Sequence, residues 1–231
     1  MYVDAIHDRK NDIIKVVERI QGRRVYTEHR PVYNFYVPDP RGKHRSIHGD
    51  PVMEINCKGH KEFRKNLGMY SNVPKFESDI KPVNKTLSRL YYDTESPRLQ
   101  TAFFDIEVDF DPQQGYSSPE DAFMPITAIG VYLQWMETMV CLAVPPRTLT
   151  WAQAQSIAQE YPEVILCRTE QQMLEHFLDL IDDADVLSGW NSEGYDIPYT
   201  INRIVKVMGK AQTRRMCLWD QFPQEKEYDS Y

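Results

Sequence analysis

The segment Thr101-Ala102-Phe103-Phe104-Asp105-Ile106-Glu107-Val108 limits the fold more than any other stretch of the chain. β-Branched and aromatic residues dominate it, which marks a buried strand, yet two carboxylates interrupt it two residues apart. Side chains alternate along a strand, so Asp105 and Glu107 point to the same face. Neighbouring acids in an apolar strand repel each other and lose hydration unless something positive lies between them. A hard divalent cation, Mg²⁺ or Mn²⁺, suits carboxylate oxygen. An edge strand with both acids in water fits the same spacing.

The 231 residues allow one large domain or two modest ones, each with its own core. Charged residues at 26% and hydrophobic ones at 42% are ordinary for a globular protein, and no run approaches ~18 consecutive apolar residues. The N-terminus lacks a basic-then-apolar signal pattern, which argues for an intracellular protein. Cys57, Cys141, Cys167 and Cys217 form no C-x-x-C pair or zinc spacing and read as reduced thiols. The net charge of −7 is unevenly spread. Residues 1–100 carry 19 Lys/Arg against 13 Asp/Glu, and residues 101–231 carry 8 against 21. A basic module joined to an acidic one is consistent with one part gripping phosphates and the other metal. An incidental split is the plainer alternative.

In the first part, residues 13–20 read as a strand because Ile and Val dominate, and Val32–Val37 as a second, stopped by Pro38-Asp39-Pro40-Arg41-Gly42. Lys43–Gly49 is a basic loop, better explained by solvation than by phosphate binding. The spacing predicts a strongly basic helix over Lys58–Leu67, ending at Gly68 and presenting Lys61, Arg64 and Lys65. Tyr70–Arg98, with Pro74, Pro82 and Pro97, reads as an extended connector, placing a domain boundary near Arg98. Beyond the acidic strand and a turn-rich loop, Ile126–Trp135 and Thr138–Val144 form a strand hairpin. A helix follows from Thr150, then Val164–Cys167, expected as a central parallel strand. Thr169 is a plausible N-cap for a helix whose apolar positions Met173, Leu174, Phe177, Leu178 and Ile181 keep a 3.6 period. Asp185–Trp190 is the next strand and Ile197–Met208 the next helix, closed by Gly209. The fold class is α/β: a mixed sheet, preceded by a smaller, mixed but strand-rich domain.

The last strand runs into Asn191-Ser192-Glu193-Gly194-Tyr195-Asp196-Ile197-Pro198-Tyr199, where ligands of open α/β sheets gather. Taken alone, Asp196 reads as an N-cap, with Pro198 in the first turn. Taken together, Phe-Asp-Ile-Glu followed by Gly-Trp-Asn-x3-Tyr-Asp-Ile-Pro-Tyr resembles the first two exonuclease motifs of family B replicative DNA polymerases, those of large tailed bacteriophages most of all. The similarity extends through Ile201-Asn202-Arg203 and back through Asp79-Ile80-Lys81-Pro82-Val83.

That resemblance implies an RNase H-like 3′–5′ exonuclease domain over 99–231, proofreading a primer terminus, behind an N-terminal domain and linker over 1–98. It implies two Mg²⁺ or Mn²⁺ ions. Asp105 would bridge them, Glu107 would hold one and orient water, and Asp196 would support the second. Asn191 would touch DNA, and Tyr195 and Phe104 could stack frayed bases, although Phe104 reads equally well as core. Implied partners are single-stranded DNA and the primer 3′ end, the rest of the polymerase, and the sliding clamp and other replisome proteins. The compartment would be the cytoplasm of the infected host cell, with no membrane partner. The family's third motif, Tyr-x3-Asp, occurs nowhere in the sequence, and the palm, fingers and thumb are absent. The chain is therefore expected to be the N-terminal part of such a polymerase, breaking off inside a domain in the polar run Gln224–Ser230. A truncated and a naturally split polymerase fit alike. The alternative is a non-catalytic nucleic-acid-binding module acting through the basic first domain; a free-standing exonuclease is disfavoured by the missing third carboxylate.

Overall fold

The computed structural model describes residues 2–224, so the polar run expected at the end of the chain lies, from 225 onward, outside the described residues. The chain divides into two compact units, Met1–Arg98 and Leu99–Tyr231. Among the described residues no helix is long and apolar enough to cross a membrane.

The first unit contains two small antiparallel sheets. Strands β1 (Tyr2–Asp8), β2 (Ile13–Ile20) and β3 (Arg23–His29) form a meander in the order β1-β2-β3. Strands β4 (Tyr33–Pro38), β5 (His44–Arg45) and β6 (Pro51–Cys57) form the second, in the order β4-β6-β5. Helix α1 (His60–Met69) packs on the second sheet through Phe63, which meets Tyr33 and Phe35 at ring-centroid distances of 5.8 and 5.9 Å. It runs past Gly68, the expected stop. Tyr70 donates its amide to Asn66 O and Gly68 O, and its ring lies 5.8 Å from Phe35, anchoring the extra residues.

The stretch read as an extended connector contains a helix, α2 (Pro82–Tyr91). Pro82 occupies its first turn, where a missing amide costs nothing. Val83, Leu87 and Tyr91 recur every four residues and pack against Ile14, Val16, Tyr2 and Ala5. Burial of that stripe outweighs the proline content that suggested a connector.

The second unit is built on a five-stranded mixed sheet. Its strands are β7 (Thr101–Val108), β8 (Ile126–Leu133), β9 (Thr138–Ala143), β10 (Val164–Leu166) and β11 (Val186–Ser188), in the order β10-β9-β8-β7-β11. β7, β8 and β9 are antiparallel; β10 joins β9 and β11 joins β7 in parallel. The segment expected as a central strand, Val164–Cys167, is therefore an edge: β10 has only β9 beside it, and Ile165 is exposed. A short apolar run does not distinguish the two positions.

Helix α3 (Trp151–Ala158) opens with a capping box between Thr150 and Gln153. Helix α4 (Glu170–Ile181) has Thr169 as its cap, and all five of its expected apolar positions are buried, each worth about 1.5–3 kcal/mol. Together with Tyr199 and Ile204 of α5 (Asp196–Met208), they cover the sheet face formed by Ala102, Phe104, Ile106, Ile129, Val131 and Leu142. The opposite face of β7 is exposed at Phe103, Asp105 and Glu107.

Candidate active site

Strand parity explains how β7 presents its acids. Gln134 N donates to Thr101 O and the Thr127 hydroxyl to Glu107 O, so odd-numbered residues of β7 bond toward β8. Their side chains form the open face. Opposite Asp105 on β8 is Gly130, and opposite Glu107 is Ala128. Neither neighbour carries charge, and among the described residues neither acid forms an ion pair.

Even-numbered amides of β7 turn toward β11, which reaches only as far as the Ser188–Phe103 pair. The Ile106 N–H therefore lies beyond the end of that strand and needs another acceptor. Asp196 Oδ1 provides it at 3.2 Å. The carboxylate therefore does not cap the helix, the role that Asp196 suggests when taken alone. The helix begins at Asp196 itself, the preceding Tyr195 makes no side-chain cap, and the Asp196 carboxylate reaches across to the acidic strand. Asp196 is only 4% exposed. Burial pushes its carboxyl above the usual carboxylate range; the Ile106 amide opposes that push, and the charge of Asp105 adds to it. Asp105 and Asp196 are thus brought within electrostatic reach, with Glu107 on the same face as Asp105. Among the described residues, no group of three or more His, Cys, Asp or Glu side chains is disposed to hold a metal ion.

The turn between β11 and α5 depends on close backbone approach. A Cβ on Gly189 would stand 2.3 Å from Phe104 O, so only glycine lets the chain leave β11 this near β7. Asn191 has φ 52°, a conformation Asn tolerates, and its carbonyl accepts from Gly194 N and Tyr195 N at 3.0 and 3.1 Å. Its side chain is exposed, and its Oδ1 would lie 2.8 Å from a Cβ at Gly194.

The aromatic expectations need correcting. Phe104 is 3% exposed and packs on Phe177 at 5.1 Å, so it belongs to the core and cannot stack on a base. The aromatic beside Asp105 is Phe103, which pairs across the strands with Tyr132 and, beyond it, Met139; all three are exposed. Two-residue alternation from Asp105 would have selected Phe103. Trp190, expected at the end of a strand, lies beyond β11 in the turn and is 92% exposed. Tyr195 is half-buried, stacks on Tyr199 at 5.3 Å and donates its hydroxyl to Ser117 O at 3.2 Å. It helps fasten the loop after β7, as do Tyr199 to Met124 O, Asn202 to Pro119 O and Arg203 to Ala122 O. Lys61, Arg64 and Lys65 are exposed along one stripe of α1, in the first unit.

A mixed sheet in this order, with acids on the open face of a central strand and another at the next helix start, has the architecture of an RNase H-like nuclease domain. The family model for the DNA polymerase family B exonuclease domain matches residues 44–228. The chain belongs to that family. Among curated proteins, the DNA-directed DNA polymerase of Enterobacteria phage T4 is 32% identical over 65 residues. That alignment covers 24% of this chain and 7% of the phage protein's length.

Proposed function

We propose that the second unit carries part of the 3′–5′ proofreading exonuclease site of a phage replicative DNA polymerase. The observation that carries this reading is the ion-pair-free pair Asp105 and Glu107 on the open face, beside a buried Asp196 whose pKa is raised by burial and by Asp105. Three carboxylates without a counter-charge form a hard oxygen donor set, which suits Mg²⁺ or Mn²⁺. When bound there, such ions would supply activation of water and stabilisation of the leaving 3′-oxygen of a phosphodiester. Asp105, Glu107 and Asp196 would hold the metal, and Glu107 would also orient the water. The three acids alone do not enclose an ion, so further oxygens come from a DNA phosphate and from a third-motif carboxylate in polypeptide outside residues 1–231.

In this reading the boundary near Arg98 separates an N-terminal domain from the exonuclease domain. Asn191 contacts the primer 3′ end, and Phe103 and Trp190 supply the stacking surface that the buried Phe104 cannot. Tyr195 positions the loop after β7. Lys61, Arg64 and Lys65 contact DNA phosphates. The rest of the polymerase, with clamp and replisome proteins, completes the assembly in the cytoplasm of an infected cell. The test is Mn²⁺ binding followed by electron paramagnetic resonance. Asp105→Asn with Glu107→Gln should weaken it by at least about ten-fold. Unchanged binding in the double variant removes the metal assignment.

A further inference from the structure

We propose that the outer edge of β3 is a contact between two copies of this chain, formed by antiparallel pairing of β3 with the same strand of a second copy across a two-fold axis. β3 is the last strand of its sheet, and β2 is the only strand beside it among the described residues. Its pairing with β2 runs from His29 to Arg23 without a register shift, whereas β1 has one between Tyr2 and Asp4. A regular seven-residue edge without bulge or proline keeps its outward backbone groups in position for another strand.

The hairpin decides which groups face outward. Gln21 and Gly22 have φ 50° and 78°, the paired positive values of a type I′ turn, so the flanking Ile20 and Arg23 form a hydrogen-bonded pair. Odd-numbered residues of β3 therefore bond to β2, and the N–H and C=O groups of Arg24, Tyr26 and Glu28 turn to the outer edge. A two-fold axis at Tyr26 sets Arg24 against the partner's Glu28, Tyr26 against the partner's Tyr26, and Glu28 against the partner's Arg24. All of these are outward-bonding residues, so each pair can exchange both of its N–H···O bonds.

The side chains agree with this register. Opposed residues of an antiparallel pair share a face, so an Arg–Glu pair forms at each end of the contact and the two Tyr26 rings meet at its centre. Val25 falls opposite the partner's Thr27, both β-branched. Glu28 is exposed, and Lys15, its neighbour on β2, is already paired with Asp8 at 3.3 Å. Charges ordinarily guard a strand edge against another strand. Here opposite signs lie on either side of Tyr26, and the two-fold turns them into complementary pairs. A slip of two residues sets Arg24 or Glu28 against Tyr26 and loses both ion pairs, and an in-register parallel arrangement opposes like charges. A contact of one strand pair belongs to the weak end of protein interfaces, with a dissociation constant of about 10–100 µM.

The test is analytical ultracentrifugation of the full chain from about 1 µM to about 1 mM, in EDTA and without DNA, so that the result is independent of the carboxylate site. The chain should pass from monomer to dimer over that range, and hydrogen exchange should slow with concentration at the amides of Arg24, Tyr26 and Glu28. Arg24→Glu and Glu28→Arg each bring like charges together and should weaken the dimer about ten-fold or more. The double variant exchanges the signs and should restore the wild-type dissociation constant. A chain that stays monomeric at about 1 mM overturns the proposal, and is the result expected if the edge instead takes an extended segment of another protein. A dimer indifferent to both single reversals, a loss not recovered in the double variant, or concentration-dependent protection only outside β3 overturns it as well.

Discussion

Asp196 offers a sharp test because its two oxygen-bearing functions can be separated by substitution. Asp196→Asn removes the charge but keeps an oxygen that can accept from Ile106 N–H; Asp196→Ala removes both. An unsatisfied buried amide costs about 1–3 kcal/mol, so the two variants should differ by that amount. For a unit of this size, that is about 3 to 10 °C in melting temperature. The charge contributes with the opposite sign. Burial and Asp105 raise the folded-state pKa of Asp196, so the stability associated with its protonated form is complete below the ordinary carboxylate pKa of 3.8 and is lost as pH rises through the raised value. Wild type should therefore melt below Asp196→Asn at about pH 8 and converge with it toward about pH 4. Differential scanning calorimetry of the three proteins across that range reads both effects. If the Asn and Ala variants melt together, the hydrogen bond to β7 has been misread. A wild-type-to-Asn gap independent of pH would remove the electrostatic link to Asp105.

Three further outcomes follow from the packing and the charge distribution. Gly189→Ala places a methyl group against Phe104 O and should cost more than about 2 kcal/mol by denaturant melting; wild-type stability would mean that β11 can move away from β7. Arg203→Met leaves Glu170, whose side chain is 13% exposed, without its partner and should cost about 3–5 kcal/mol; adding Glu170→Gln should restore part of it, and no recovery contradicts the ion-pair explanation. Reversing Lys61, Arg64 and Lys65 to Glu should flatten the dependence of log affinity for single-stranded DNA on log salt by about 2; an unchanged slope takes α1 out of the DNA contact.

What the sequence disclosed was governed by local periodicity. The shared face of Asp105 and Glu107 follows from the two-residue period, and the α4 stripe from the 3.6 period; both are present in the structure. Phe103 was equally readable from the first rule, which sets it on the face of Asp105 and Phe104 on the opposite one but does not say which face meets the core. That choice is made by α4, through Phe177. Helix α2 was hidden because its stripe is only three residues deep and its partners lie some seventy residues earlier. The hydrogen bond that Asp196 accepts from Ile106 was not readable from local sequence. It arises because β11 stops at Ser188 and leaves an amide of β7 exposed at the strand edge, a fact of sheet topology that composition around Asp196 does not encode.

Degradation of 5′-labelled single-stranded DNA by residues 1–231 in Mg²⁺, with and without a polypeptide bearing the third exonuclease motif, addresses the proposed site as a whole. The chain alone should act weakly, and the added polypeptide should raise the rate by at least ~100-fold, because a site short of one carboxylate holds its ions poorly. Asp105→Ala should abolish the gain. Full proofreading-level activity from the chain alone, or a gain that survives Asp105→Ala, would contradict the assignment.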